Sequence, residues 1–475
     1  MPKAPPPLSL TAFEEYMFRD DRPAYPMSIV VRLCVSGNLD RNAATTAFGQ
    51  AVARHRLLWA VIRQTSTGLE WAAADHSPML HWLGHGAHDR LPAMTPIDLM
   101  REPGLRAWAA ADSQRSTIVL QVHHAACDGK GVMQLVGDFL CYYARAVAPD
   151  QSAIDLPPCD DELLRGRGKF GLTAWKFLKM LPAQLSGLKG VGKFLLRQPV
   201  PLLAGAESKP CGSFRLTPGP RRVFPCAEHD GYEHPDAFPN VRVGRLDAGE
   251  LQRLSAAAAD CRVSVNDWLL RDFFLAVEAF RRRHAAPGKK DCIRISVPMN
   301  LRQPADARMP AANVVSMVFL DRNAAQLADP LGLLRGIREQ LALIRRRQLG
   351  LTFHWSLMAL RVLPGGLAAR VSNGRCEATC VVSNLGRVLA DSPLPRCEEK
   401  IVSGNVRLED IEVFAPIREG TAASVALVFY AGGLRICLQY DGRRITSAQA
   451  EDLLDTYLHT IRSSLGGEAR AAKAA

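Results

Sequence analysis

Long apolar runs are missing from this chain of 475 residues. The longest run without a charged residue, residues 420–434, has 15 residues and is rich in β-branched types. It falls short of the roughly 18 residues that a membrane-spanning helix needs, so we expect no such helix. The N-terminal residues also lack the apolar core of a secretory signal peptide, which makes the cytoplasm the expected compartment.

Closely spaced cysteines are missing as well. The twelve cysteines are scattered, and the nearest two, Cys376 and Cys380, do not form a C-x-x-C pair. Disulfides and a zinc site are therefore the less favoured alternatives, and we expect buried, reduced thiols and no metal. Hydrophobic residues make up 48% of the chain, which is enough for globular cores and excludes disorder as the main state.

Acidic residues are missing from residues 163–206, which carry eight Lys or Arg between large apolar side chains. The lysines of this segment include Lys176, Lys179, Lys189 and Lys193. This composition is typical of an amphipathic segment in peripheral contact with a membrane. A crossover segment packed on the core, with a solvated basic face, is the favoured alternative. The net charge of +12 comes without a recognisable nucleic-acid-binding motif, so we expect no nucleic-acid partner.

Strand and helix patterns alternate in two parts of the chain, on either side of a segment rich in proline and glycine. The patterns predict strands at 27–36, 59–63, 116–124, 293–299, 379–383, 423–430 and 434–441, and helices from Asp40, at 131–147, at 248–260, from Asn266 and at 447–463. We therefore predict an α/β fold with an N-terminal domain at 1–160, a basic crossover at 161–240 and a C-terminal domain at 241–475.

The segment HHAACDG at 123–129 lies where a predicted strand gives way to a helix. Side chains alternate along a strand, so His123 and His124 point to opposite faces and cannot comfortably bind one metal ion. An imidazole has an ordinary pKa near 6.5, which suits a general base at neutral pH. The position at a strand end predicts that one of the two histidines faces a cleft.

The spacing HHxxxDG resembles the active-site motif of the acyltransferase superfamily that uses acyl thioesters. That superfamily includes peptide-synthetase condensation domains, chloramphenicol acetyltransferase, plant BAHD enzymes, polyketide-associated acyltransferases and bacterial wax ester synthases. Other segments resemble stand-alone condensation-like members in order and spacing: LSLTAFEEYMF at 8–18, RHRLLWAVI at 54–62, VSVNDWLL at 263–270, VPMNLRQ at 297–303, VVSNLGRV at 381–388 and LRICLQYDGRRIT at 434–446. The DFGWG motif of BAHD enzymes is absent, and SNLG stands where wax ester synthases have an NVPG-like sequence.

The resemblance implies two chloramphenicol-acetyltransferase-like α/β domains in one chain, with the active site at their interface. It makes His124 the general base and gives His123 a structural place in the motif. It also implies that Asp128 is structural and pairs with Arg302, and that Gly129 allows a sharp backbone turn.

Three further residues are less firmly assigned. Ser383 and Asn384 of the SNLG segment could line the substrate pocket from the second domain, although structural loop roles are the alternative. Cys127 could carry an acyl group, but a packing role is favoured because the superfamily transfers the acyl group without an acyl-enzyme.

These residues predict an acyltransferase that moves an acyl group from coenzyme A or a carrier protein to a hydrophobic alcohol or amine. No cofactor is implied beyond the thioester co-substrate. A wax ester or diacylglycerol-type lipid acyltransferase is the nearest alternative. A non-catalytic condensation-like module that binds carrier proteins is an alternative of another class, and the intact motif argues against it.

Overall fold

The computed structural model describes most of the chain. Its described residues are 8–66, 68–84, 91–92, 94–148, 154–172, 175, 179–180, 182, 184, 197–203, 238–285, 288, 290–371 and 376–471, with side chains described up to residue 465. Most of the predicted crossover, including Lys176, Lys189 and Lys193, lies outside the described residues.

The N-terminal part alternates strands and helices, as its sequence pattern predicts. Its elements are β1 (Leu8–Ser9), α1 (Ala12–Asp20), β2 (Ser28–Gly37), α2 (Arg41–Ala53), β3 (Ala60–Thr65), β4 (Gly68–Ala73), β5 (Leu80–Trp82), β6 (Leu105–Ala111), β7 (Arg115–His123) and α3 (Gly129–Val147). The helices start where side chains can cap them, since Asp40 accepts a hydrogen bond from the backbone N–H of Ala43 at the start of α2.

The C-terminal part repeats the alternation with longer helices. Its elements are β8 (Val241–Leu246), α4 (Ala248–Asp260), α5 (Val265–His284), β9 (Cys292–Asn300), β10 (Val315–Asn323), α6 (Ala324–Leu327), α7 (Pro330–Arg346), α8 (Gly350–Val362), α9 (Gly366–Val371), β11 (Cys380–Arg387), β12 (Arg396–Cys397), β13 (Lys400–Ser403), β14 (Val406–Phe414), β15 (Ala423–Tyr430), β16 (Gly433–Tyr440) and α10 (Ser447–Ala471). Ser264 caps α5 in a capping box with Asp267, which places the helix start slightly ahead of the predicted Asn266.

The described strands form three sheets. Seven strands follow the order β12-β13-β14-β2-β7-β6-β5, six follow β10-β9-β11-β15-β16-β8, and three follow β1-β4-β3. In the seven-stranded sheet β7 is an inner strand, paired antiparallel with both β2 and β6. The HHxxxDG segment thus leaves a strand that is held on both sides.

The seven-stranded sheet takes strands from both ends of the chain. β14 pairs antiparallel with β2, so that Val413 lies opposite Val31, and β13 and β12 follow outward. Residues 396–414 therefore complete the N-terminal sheet, although the predicted boundary at 241 assigned them to the C-terminal domain. Alternating side chains identify a strand but not its distant partner, so the sequence pattern gave no sign of this exchange.

Two hydrophobic cores hold the layers together. One packs Val122 of β7 and Val132 of α3 against Ala312, which belongs to the C-terminal part. The other surrounds Trp268 and Phe273 of α5. Because the motif and residues 311–314 share a core, the two parts meet at the motif itself.

Arg418 forms a second connection between the two parts. Its Nε lies 2.9 Å from Asp20 Oδ2 at the end of α1, and its Nη1 contacts Glu377 just before β11. Both carboxylates are buried. Arg418 therefore pairs with one buried carboxylate from each part of the chain, and Arg370 also contacts Glu377.

Replacing Arg418 with alanine should lower the free energy of unfolding by about 3–5 kcal/mol, because the buried carboxylate of Asp20 loses its charged partner and Glu377 keeps only Arg370. Urea unfolding followed by circular dichroism measures the change. Arg101→Ala is the control, since Arg101 is exposed, lies 3.6 Å from Asp98, and such pairs contribute about 1 kcal/mol or less. If the two variants were equally stable, Arg418 would not clamp the two parts together.

Candidate active site

The motif begins at the end of β7, where the strand still pairs with its neighbours. His123 lies opposite Ser28 of β2, and the backbone N–H of His124 donates to the carbonyl of Met27 at 2.6 Å. The chain then turns through Ala125 and Ala126 and enters α3 at Gly129. This strand–turn–helix arrangement is the one that the sequence predicts, and it fixes the backbone on both sides of His124.

His123 is buried and holds the turn. Its Nδ1 accepts a hydrogen bond from the backbone N–H of Ala125 at 3.1 Å, so in the neutral ring the proton lies on Nε2. Nε2 faces Asp21 Oδ1 at 3.8 Å, and that same oxygen accepts the backbone N–H of Met27. Both ring nitrogens are directed at protein groups, which supports the structural role implied for His123.

His124 is half-buried, and burial is the strongest influence on its imidazole. Burial lowers the pKa of His124 below its ordinary 6.5, although hydrogen bonds with the backbone at His124 itself and at Cys127, and the charge of Asp128, act in the opposite direction. The ring is therefore neutral at pH 7, which is the state that a general base requires.

Asn313 fixes the position of His124 from the C-terminal part of the chain. This buried side chain donates from Nδ2 to the backbone carbonyl of His124 at 2.6 Å, and the same nitrogen lies 3.5 Å from His124 Nδ1. Asn313 therefore lies against the Nδ1 side of the His124 ring. Asn313 was not predicted as a site residue, because a lone asparagine before a strand has no distinctive sequence pattern.

Asp128 is bound through both carboxylate oxygens. Oδ1 accepts from the backbone N–H of Gly131 at 2.9 Å and caps α3, while Oδ2 accepts from Arg302 Nη1 at 2.7 Å and from the backbone N–H of Val314 at 2.8 Å. Burial alone would raise the pKa of Asp128, but Arg302 and the two backbone donors outweigh it and lower that pKa. The ion pair implied by the resemblance is present, and it ties the motif to residues 300–314.

The glycine at the motif's end has a different role from the expected sharp turn. Gly129 does not adopt a left-handed backbone conformation, and a Cβ there would lie 3.2 Å from Leu385 Cδ2 of β11. At Gly131 a Cβ would lie 2.3 Å from Cys127 Sγ and 3.1 Å from the backbone nitrogen of Ala312. The need for glycine is therefore strongest at Gly131, where α3 approaches the backbone of the C-terminal part.

The two SNLG residues occupy opposite faces of β11. Asn384 donates from Nδ2 to Asn266 Oδ1 at 2.8 Å, and its own Oδ1 accepts from the backbone N–H of Gly386. A register irregularity between Asn384 and Gly386 interrupts the strand alternation at Leu385, so the position of Leu385 beside Gly129 does not locate Ser383. Asn384 joins β11 to the start of α5. A substrate-lining role for either residue stays a prediction.

Cys127 is fully buried inside the motif. Burial raises the pKa of the Cys127 thiol well above its ordinary value, and Sγ donates to the backbone carbonyl of Asp128 at 3.2 Å. A thiol in this state is a poor nucleophile, because the thiolate is the reactive form. The packing role favoured by the sequence fits this environment.

In the described part of the chain, no group of three or more His, Cys, Asp or Glu side chains could hold a metal ion. A cavity of about 360 Å³ opens beside α6 and α7, lined by Arg322, Asp329 and Gln340 among others, and no motif residue lines it.

Asp128→Ala and Arg302→Ala should each lower the free energy of unfolding by about 3–5 kcal/mol, because each leaves a buried charge without its partner. In the double variant the losses should be strongly non-additive, since the second change removes the charge that the first one stranded. Thermal unfolding and acyl-transfer rates are measured for the unaltered protein, the two single variants and the double variant, which together form a double-mutant cycle. Additive losses would mean that the two side chains do not interact in solution.

The chain is similar in sequence to one family model and to two uncharacterized proteins. Residues 311–458 match the family model described as the WS/DGAT C-terminal domain. Uncharacterized proteins of Mycobacterium tuberculosis strains CDC 1551 and H37Rv are each 26% identical over 463 residues, covering 92% of this chain and 95% of theirs.

Solved structures of other proteins superpose on this chain over almost its whole length. The first condensation domain of the calcium-dependent antibiotic synthetase superposes with a TM-score of 0.66 at 15% identity, covering 98% of this chain and 97% of its own. Polyketide synthase associated protein 5 from Mycobacterium tuberculosis superposes with a TM-score of 0.59 at 18% identity, covering 97% and 98%. The chain has the two-lobed α/β condensation-domain fold, and together these matches confirm its resemblance to the HHxxxDG acyltransferase superfamily.

Proposed function

We propose that this protein transfers an acyl group from a thioester to an alcohol or amine, with His124 as the general base. The observation that carries the proposal is the position of His124: its backbone is held by Met27 on one side and Asn313 on the other, and burial lowers the pKa of its ring. A base fixed between the two parts of the chain can meet substrates that enter from both.

The reaction proceeds by direct attack. His124 Nε2 takes the proton of the acceptor hydroxyl or amine as the acceptor atom attacks the thioester carbonyl carbon. The carbonyl oxygen then carries a negative charge in a tetrahedral intermediate. When that intermediate collapses, the carbon–sulfur bond breaks and the departing thiolate receives the proton from the His124 imidazolium. The products are an ester or amide and a free thiol, and His124 returns to its neutral form.

The other motif residues position this base. Asp128 caps α3 and, through Arg302 and Val314, holds the turn after His124 against the C-terminal part. Its two oxygens are occupied by these contacts, so Asp128 acts through position rather than by proton transfer. Asn313 donates to the backbone carbonyl of His124 and lies beside Nδ1 of its ring.

The donor in this proposal is acyl-coenzyme A or a carrier-bound acyl thioester, and the acceptor is a hydrophobic alcohol or amine. The condensation-like structural relatives favour a thioester donor of this kind. A wax ester or diacylglycerol-type lipid acyltransferase is the second candidate, favoured by the WS/DGAT match over residues 311–458. The neutral, positioned His124 argues against a purely non-catalytic binding module.

His124→Ala should reduce the transfer rate at least about a hundredfold while the protein stays folded, because a positioned base contributes on the order of 10²–10⁴. The assay measures ester or amide formed from acyl-coenzyme A donors of several chain lengths, with acceptors of both classes. His81→Ala, at an exposed position of β5, is the matched control and should keep full activity. A His124→Ala rate within a few-fold of the unaltered protein would refute the mechanism.

The pH profile of kcat/KM should fall on the acid side with an inflection below 6.5. The base must be neutral, and burial lowers the pKa of His124, so protonation blocks the reaction only at lower pH than for a free imidazole. Initial rates between about pH 4.5 and pH 8 locate this inflection. An inflection above 6.5 would mean that His124 is stabilised in its charged form, contrary to this account.

A further inference from the structure

Five arginines are buried in the described part of the chain, and four of them pair with a carboxylate at 2.6 or 2.7 Å. These four pairs are Arg167–Glu14, Arg271–Asp272, Arg281–Asp291 and Arg294–Asp321. The fifth is Arg322, near the end of β10, which is 6% exposed. Among the described residues, no carboxylate lies within ion-pair distance of Arg322. A buried charge without an opposite charge is unfavourable, so Arg322 requires a different explanation.

The guanidinium of Arg322 keeps three of its five N–H donors unused. Nη1 donates to the backbone carbonyl of Asp321 at 2.7 Å and to Gln340 Oε1 at 2.9 Å, which accounts for both of its hydrogens. No acceptor in the part of the chain that the structure describes meets Nε or Nη2. These two nitrogens form the side of a guanidinium that binds two oxygens of one carboxylate or phosphate. The unused side of Arg322 is therefore suited to an oxyanion.

The pKa of Arg322 agrees with the lack of a charged partner. Burial lowers this pKa below its ordinary value, and the charge of Asp321 opposes the change only in part. Burial acts in the same direction on Arg302, but there the carboxylate of Asp128 outweighs it and the pKa is raised. A bound anion would stabilise the charge of Arg322 as Asp128 stabilises that of Arg302.

Arg322 lines the cavity of about 360 Å³ beside α6 and α7. Small residues form part of the cavity wall, namely Ala325, Gly332 and Gly336. A Cβ at Gly336 would lie 3.9 Å from Arg322 Nη2, so this position of α7 has no side chain to cover that nitrogen. Small-molecule sites have volumes of about 300–1,000 Å³, and this cavity falls within that range.

We propose that this cavity binds a small molecule through one oxyanion group, a carboxylate or a phosphate monoester, held by Nε and Nη2 of Arg322. We call it the Arg322 pocket, defined by Arg322, Asp329, Gly336 and Gln340. The site is additional to the proposed acyl transfer and does not depend on it.

The guanidinium is fixed before any ligand binds. Gln340, which accepts from Nη1, is itself held by donation from its Nε2 to the backbone carbonyl of Phe319 at 3.4 Å. The ring of Phe274 lies against the guanidinium, with its centre 5.7 Å from Cζ. An arginine that is already positioned loses less conformational entropy when an anion binds.

Asp329 restricts the kind of anion that fits. It is the other charged residue of the cavity wall, it is exposed, and its Oδ1 accepts from the backbone N–H of Gly332 at 3.0 Å. A carboxylate at this position repels a second negative charge. The Arg322 pocket therefore suits a ligand with a single anionic group and disfavours polyanions such as nucleic acid.

The Arg322 pocket is separate from the candidate active site. Asn313, which contacts His124, precedes β10, whereas Arg322 is the last residue but one of that strand. The strand has nine residues and so spans roughly 27 Å at about 3.4 Å per residue. A small molecule at Arg322 would not reach His124, and it is therefore a ligand of a second site rather than the reacting substrate.

Thermal unfolding of the full chain tests the binding without any need for turnover. The protein is titrated with sodium phosphate, sodium acetate or sodium chloride at equal ionic strength, because a ligand of the folded state raises Tm with its concentration. Phosphate or acetate should raise Tm in a saturable way and with a lower apparent Kd than chloride, which has only one atom to offer the two nitrogens. Comparison of the two oxyanions shows whether the pocket takes phosphates or carboxylates.

Variants separate binding from the general effect of phosphate, which stabilises folded proteins by exclusion from their surface. Arg322→Gln removes the charge, and Gly336→Leu keeps Arg322 but fills the cavity. Each should raise the apparent Kd at least about tenfold, since hydrogen bonds to a charged group are lost. Gly49→Leu is the matched control, because Gly49 is exposed on α2 and a Cβ there meets no atom within 4 Å.

Three results would overturn the inference. They are equal affinity for chloride and both oxyanions, unchanged affinity in Arg322→Gln and Gly336→Leu, and an equal loss of affinity in Gly49→Leu. If circular dichroism shows that Arg322→Gln is unfolded, Gly336→Leu decides alone, since it leaves the guanidinium and its contacts in place.

Discussion

The candidate site depends on the compensation of one buried charge, the carboxylate of Asp128. Three donors meet it: the backbone N–H groups of Gly131 and Val314, and the guanidinium of Arg302. Each donor has a separate effect. The N–H of Gly131 belongs to the first turn of α3, the N–H of Val314 attaches the segment before β10, and Arg302 neutralises the charge. An unpaired carboxylate in this position would be strongly unfavourable, so the motif turn and the C-terminal part are held in one arrangement.

The state of His124 follows from that arrangement. Asn313 belongs to the same segment that Asp128 holds, and it supports the carbonyl of His124. The burial that lowers the pKa of His124 arises where the two parts close around the motif. The requirement for glycine at Gly131 has the same origin, because any side chain there would push α3 away from Ala312.

Much of this could be read from the sequence, but not the contacts between distant segments. Local patterns predicted β7, α3 and the place of His124 between them, because strand alternation and helix capping act over a few residues. The Asp128–Arg302 pair was reached only through a resemblance, since 174 residues separate its members and no spacing rule links them. Asn313, Gly131 and Leu385 were missed, and so was the pairing of residues 396–414 with the N-terminal sheet, because each depends on packing across the interface.

The central claim is that the acyl group passes directly from a thioester to an acceptor on this protein. The stoichiometry of free thiol and product tests it most directly, measured with an acyl-coenzyme A donor in the presence and absence of an alcohol or amine acceptor. The account predicts that thiol release requires the acceptor and equals the ester or amide formed. Thiol release at the same rate without acceptor, or no turnover with any donor and acceptor pair, would contradict it.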